Sequence, residues 1–209
     1  MLIIASSNGK VGIKAAMQVL KDGGSAIDAV EAGVRLVEAN PEEHSVGYGG
    51  YPNILGQVEL DAGIMDGCTL ATGAVGAVQG YKYPISIARR VMERLTHVFL
   101  VGEGAARFAA EMGFERCDLL TEPAREVWAA RLQEDIVGQA VSLSGTEQAV
   151  SLSDTEQAVS LSDTEQAVSL SQALSAQHDL WRWVEIATDP ERAKGTVNFI
   201  ARDAQGHIG

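Results

Sequence analysis

Lys194-Gly195-Thr196-Val197-Asn198-Phe199-Ile200-Ala201-Arg202-Asp203 lies close to the end of the 209-residue chain, and the other segments are best placed relative to it. Thr196 to Ala201 is rich in Thr, Val, Phe and Ile and predicts a strand. Asp203-Ala204-Gln205-Gly206 supplies turn residues behind it. A Gly-Thr step that opens a strand behind a loose linker is a place where a chain can cut its own backbone and uncover a threonine. Such a threonine is a small complete catalyst. Its Oγ is the nucleophile, and the new α-amine, with a reference pKa near ~8, is the base. The plainer alternative is that Thr196 only begins a strand, as β-branched residues often do. Both alternatives stay open on these residues alone.

Immediately upstream the composition shifts. From Gln139 to Ser171 the nonapeptide QAVSLSDTE recurs, with copies beginning at Gln139, Gln148, Gln157 and Gln166. Nine residues at roughly 100° each make two and a half helical turns, so successive Val-Leu pairs face opposite sides of a helix. An odd period alternates faces along a strand as well. No register yields a continuous apolar stripe, and the Ser, Gln, Thr, Asp and Glu content fits a solvated linker. The following HDLWRWVEIATD has an amphipathic pattern, with Leu180, Trp183, Val184 and Ala187 on one side. The expected organisation is one portion over residues 1–195, carrying the 139–171 linker inside it, and a second starting at 196–209.

The N-terminal two thirds predicts alternating strands and helices. Leu2 to Ala5 is a short apolar strand closed by the turn Ser6-Ser7-Asn8-Gly9. Helical spacing follows through Ile13, Ala16, Met17 and Leu20. Ser25 and Asp28 form a capping signature ahead of a helix with Ala29, Val30, Gly33, Val34 and Val37 on one face. Residues 41–57 are a glycine-dense loop that predicts a fixed, tightly turned backbone. Val58 to Met65 and Leu70 to Val78 predict strands joined at Asp66-Gly67, a hairpin signal. Pro84 suits the first turn of a helix running through Ile85, Ala88, Val91, Met92 and Leu95. Val98 to Val101 predicts a buried strand leading into a helix at Gly102, and residues 121–136 predict another helix.

Sixteen Lys and Arg against 28 Asp and Glu give a net charge of −12, which argues against nucleic acid and anionic membrane surfaces as partners. No apolar run approaches the ~18 residues of a membrane span, and the N-terminus has no basic region followed by an apolar core. Cys68 and Cys117 match no metal or redox spacing. They predict small buried residues in a reduced, cytoplasmic compartment. Gly47-Tyr48-Gly49 lacks the strand and helix of a dinucleotide loop. Gly102-Glu103-Gly104 has the strand-to-helix setting of a phosphate cradle, but Arg107 stands where a third glycine belongs. A nucleotide-binding domain is therefore the weaker alternative. The four histidines are far apart, and Asp66 is explained by its turn. The expected complement of metals and cofactors is none, and Thr196 is the one candidate nucleophile with a mechanism attached.

Five blocks together resemble the N-terminal-nucleophile asparaginase family, which includes isoaspartyl peptidases and glycosylasparaginases. They are GGSAIDAVEAGVRLVE (23–38), VGYGGYPNILGQVELDAGIMDG (46–67), TGAVGAVQG (72–80), PISIARRVMERLTHVFLVGEGAARFA (84–109) and GTVNFIARDAQG (195–206). The resemblance implies an α+β fold, a four-layer αββα sandwich, incomplete in this chain. It implies cleavage of the precursor between Gly195, at the scissile position, and Thr196, the catalytic nucleophile. It implies a small-molecule substrate (asparagine, a β-aspartyl amide or the sugar–asparagine link) and a homo-oligomer of αβ units. Gly195 before the cut is the pattern of isoaspartyl and plant-type members and favours the first two substrates. Ser6-Ser7 stands where the family often has an aromatic residue. In the family the chain continues far beyond the nucleophile, so the expectation is a fragment, or a truncated inactive remnant with exposed apolar sheet surface.

Overall fold

β1 (Leu2–Ala5) pairs antiparallel with β5 (Phe199–Arg202), Leu2 opposite Arg202 and Ala5 opposite Phe199. The structure, a computed structural model, describes residues 1–132 and 196–209. Ile3, Ala5, Phe199 and Ala201 of this pair belong to the main core with residues of α1 (Lys10–Lys21) and α2 (Ala26–Glu38). The alternate residues Leu2, Ile4 and Ile200 face outward and are exposed. Side chains of a strand point alternately to its two faces, so a covered and an uncovered face follow from a single layer of helices. α2 starts where its sequence signature places it. Ser25 Oγ accepts the Asp28 N–H at 3.2 Å and Asp28 Oδ2 accepts the Ser25 N–H at 3.3 Å, a reciprocal capping box.

The second sheet has the order β2 (Leu60–Met65), β3 (Thr72–Val78), β4 (Phe99–Val101). β2 and β3 are antiparallel; β3 and β4 are parallel and connected through α3 (Pro84–Arg94). α3 covers β3, and α4 (Gly102–Glu111) follows β4 and adds Ala105, Phe108 and Ala109 to the same core. Arg89 of α3 bonds Asp28 (2.7 Å) and Glu31 (2.6 Å) of α2 and Glu93 of its own helix (2.8 Å). This network holds the two helices in register. Residues 122–132 are helical, with Trp128 and Leu132 packed against Ile54.

Several predicted boundaries move, each for a local reason. The strand expected over Thr196–Ala201 begins only at Phe199, because β1 stops at Ala5 and Ser7–Gly9 turns away as a 3₁₀ helix. The last link is made by Ser6, whose N–H donates to the Asn198 carbonyl (3.1 Å) and whose Oγ accepts the Asn198 N–H (3.0 Å). β2 starts at Leu60 rather than Val58, next to a register shift between Leu60 and Ala62. There Asp61 Oδ1 accepts the N–H of Ala77, a residue with φ of 50°. β3 starts at Thr72, since Leu70 has φ of 60° and the loop 66–71 closes through Asp66 N–H to the Ala71 carbonyl (2.9 Å). The hairpin is real but longer than a two-residue turn. β4 is not the buried strand expected: Phe99 and Val101 are 54% and 53% exposed, on the sheet face opposite α3. Cys68, expected to be buried, is exposed in the 66–71 loop, and Cys117 is half-buried. The repeat at 139–171, the amphipathic segment around 180–187, residues 133–136 and Gly195 lie outside the described residues.

Candidate active site

Thr196 lines a cleft of about 460 Å³ between α2, β2 and the first turn of α3. The polar side chains around it are Glu38, Ser45, Glu59, Asp61 and Asn198; Val30, Val34, Leu60 and Phe199 form its apolar wall. Thr196 is exposed and sits three residues ahead of β5, so the strand ladder and the two Ser6–Asn198 bonds fix where its backbone emerges. Behind β5 the predicted turn is present. Asp203 Oδ1 accepts the N–H groups of Gln205 (3.0 Å) and His207 (2.9 Å), and Gly209 bonds back to Ala201. Burial pushes the Asp203 carboxyl up, but the His207 N–H and its imidazole outweigh this and hold it below the usual carboxylate range.

Loop 41–57 forms the floor of the cleft and is as tightly turned as its glycines predict. Gly47 has φ of 66° and packs on the backbone of Glu38, where a Cβ would run into the Glu38 carbonyl oxygen. That carbonyl accepts the Tyr48 N–H at 2.7 Å. Only glycine permits both the positive φ and this approach.

Glu38 is the residue the sequence pattern did not single out. It is 2% exposed, and its Oε1 accepts the Ile85 N–H at 3.0 Å, capping α3 from the end of α2. Its Oε2 has no hydrogen-bond partner among the described residues. Burial pushes the carboxyl up to about 8, against the pull of the Ile85 N–H and of Arg35. The signal was available: Glu38 continues the i, i+4 row Val30–Val34, a carboxyl on an apolar stripe. The protonated form is the one folding favours, so this contribution is complete below the ordinary value of 4.5 and is lost as pH rises towards about 8. The slope is about 1.4 kcal/mol per pH unit across that window. Asp28 and Glu93, held below their ordinary values, act in the opposite direction at more acid pH. Urea unfolding at a series of pH values is expected to show the decline above pH 5 in the parent protein and its loss in Glu38→Gln. An equal decline in both would remove Glu38 as its cause.

Of the other candidates, Asp66 serves its turn, accepting the Thr69 hydroxyl (2.7 Å) and the Cys68 N–H (2.9 Å), which hold its carboxyl below the usual range. His44 bonds the Gly49 carbonyl through Nδ1 and stacks on Tyr51; His97 and His207 are exposed. Among the described residues no group of three or more His, Cys, Asp or Glu side chains is placed to hold a metal. α4 starts directly at Gly102 with Glu103 in its first turn, a poor setting for phosphate. A second groove, of about 550 Å³ beside Cys117 and Leu119, contains neither Thr196 nor Glu38.

The family model described as asparaginase matches residues 9–209 of this chain. The chain belongs to the asparaginase family. It is 52% identical over 113 residues to the N(4)-(beta-N-acetylglucosaminyl)-L-asparaginase of Elizabethkingia miricola, a match covering 54% of this chain and 33% of that protein. It is 51% identical over 105 residues to the plant-type L-asparaginase of Pyrococcus abyssi, covering 50% and 34%. With the isoaspartyl peptidase/L-asparaginase of Mus musculus it shares 50% identity over 96 residues, covering 46% and 29%. The chain thus spans about a third of the length of the curated relatives it matches. Near-equal identity to proteins with three different names gives no choice among their substrates.

Proposed function

We propose that residues 1–195 are the α-subunit-like portion, and 196–209 the opening of the β-subunit-like portion, of a self-cleaving cytoplasmic amidohydrolase. Its complete form is a four-layer αββα sandwich assembling as a homo-oligomer of αβ units. Thr196 Oγ attacks the Gly195 carbonyl, the Gly195–Thr196 amide becomes an ester, and water hydrolyses that ester to leave a free α-amine on Thr196. The amine then takes the proton from Oγ as it attacks the side-chain amide of asparagine or a related β-aspartyl amide. Ammonia or an amine departs with that proton, and water hydrolyses the aspartyl ester. The observation that carries the proposal is Thr196 at the mouth of a cleft, in a chain whose family match extends through it.

Intact-mass spectrometry with N-terminal sequencing tests it. The expected result is a C-terminal piece beginning at Thr196, accompanied by ammonia release from asparagine. A single uncut mass would count against it for this chain. The uncovered apolar sheet faces (Leu2, Ile4 and Ile200; Phe99 and Val101) favour a second reading, a non-catalytic portion. That reading predicts an uncut chain, no ammonia release and strong binding of a hydrophobic dye.

A further inference from the structure

We propose that the cleft beside Thr196 is a binding site for a primary ammonium group, with Glu38 as its buried acceptor. Three carboxyl side chains line the cleft, Glu38, Glu59 and Asp61, and no Lys, Arg or His among the described residues does. Two of the three have bonds already. Asp61 accepts the Ala77 N–H at 2.8 Å, and the Glu59 oxygens accept the side-chain amides of Asn53 and Gln79, each at 3.0 Å. Glu38 differs, because one oxygen holds the Ile85 N–H while the other, which is buried, has no partner among the described residues.

A buried acceptor without a donor is costly, and a donor that enters the cleft relieves it. Arg35, on the same helix, is turned away: its Nη1 donates to Ser86 Oγ at 2.7 Å and its guanidinium lies 3.8 Å over the Tyr83 ring. Glu31, the other charged group influencing Glu38, bonds Arg89. A divalent metal would need several oxygens arranged around it, and a guanidinium needs a planar pair of acceptors. A primary ammonium puts three donors on one compact head, which suits a strong buried acceptor with the outer oxygens of the cleft or water taking the remaining donors. Around neutrality Glu38 keeps its proton; uptake of an ammonium ion releases that proton to solvent and leaves a carboxylate–ammonium pair. The proposed hydrolase supplies one such group, the α-amine uncovered on Thr196, in the ammonium form it takes on once it has accepted the Oγ proton. That occupant rests on the hydrolase proposal, whereas the site itself does not.

The test uses the whole chain carrying Thr196→Ala, which stays uncut under that proposal. The Glu38 carboxyl is titrated by carbon-13 NMR in ammonium chloride and, at equal ionic strength, in tetramethylammonium chloride. Ammonium is expected to lower the Glu38 midpoint by roughly one pH unit or more, as an adjacent opposite charge does, and tetramethylammonium to leave it in place. Equal midpoints in the two salts overturn the site. In a second arm, methylammonium raises the melting temperature, and Glu38→Gln abolishes that rise. If Glu38→Gln does not fold, the NMR arm decides alone. Intact mass of the unsubstituted chain reports separately on the hydrolase proposal. An ammonium response without a break before Thr196 keeps the site and removes its natural occupant; a break without a response does the reverse.

Discussion

Thr196→Ala is expected to abolish the proposed break between residues 195 and 196, with a loss of roughly 10⁶-fold in rate, the scale seen when a sole nucleophile is deleted. The reason is local. The attacking atom must be the hydroxyl on the residue that follows the scissile carbonyl, and an alanine methyl offers no lone pair. The substitution removes little else. Thr196 is exposed, makes no ladder bond, and precedes β5 by three residues, so stability should change by less than about 0.5 kcal/mol. Thr196→Ser restores the hydroxyl and is expected to restore part of the cleavage. The measurement is the fraction of chain cut, by intact mass over days, for parent, Ala and Ser variants. Cleavage by the Ala variant at the parental rate would transfer the chemistry to another group or to a contaminating protease.

Gly73→Val is expected to be among the most destabilising single changes in the second sheet, costing about 3 kcal/mol or more. Gly73 lies on β3 directly beneath α3. A Cβ there would run into the Ala88 carbonyl oxygen and stand 2.5 Å from the Met92 nitrogen and 2.8 Å from the Met92 Cβ. The first two are helix backbone atoms and the third is the first side-chain atom, fixed by the backbone, so none can rotate out of the way and α3 must lift from the sheet. Lifting it separates Ala88 and Val91, both fully buried, from β3. Gly63, on β2, is the control: its Cβ would have only the Ala74 Cβ at 3.9 Å and one carbonyl oxygen at 4.0 Å. Gly63→Ala should therefore be close to neutral. Denaturant midpoints for the two variants distinguish close approach from a general dislike of side chains on these strands.

Ser25/Asp28, Pro84 and the Asp66-Gly67 turn made two helix starts and the hairpin legible in the sequence. All three are statements about the backbone within a few residues. Strand ends were less legible because each depends on a distant partner. Thr196–Asn198 has strand-forming residues, yet β1 ends opposite Phe199, and a serine side chain takes over from the ladder. Asp61 falls within the strand expected over Val58–Met65, but one of its oxygens holds a bulge whose other half lies on β3. Thr196 stood out because a Gly-Thr step opening a strand suggests a mechanism within one dipeptide. Glu38 did not, because its importance comes from the α3 N-terminus and a cleft assembled from five separate segments.

The pairing of β1 with β5 has a kinetic consequence. β1 has no ladder partner until Phe199–Arg202, far later in the sequence, has been made, so it must wait through the synthesis of the intervening residues with its edge unsatisfied. Closing so long a loop costs only slightly more free energy than closing a shorter one, but it is slow. Helices α1 and α2, adjacent in the chain and tightly packed, can associate first and offer β1 a surface to rest on. Once the ladder closes, the same pairing would keep residues 196–209 attached after a break just upstream, so a nicked molecule should migrate as one particle until it is denatured.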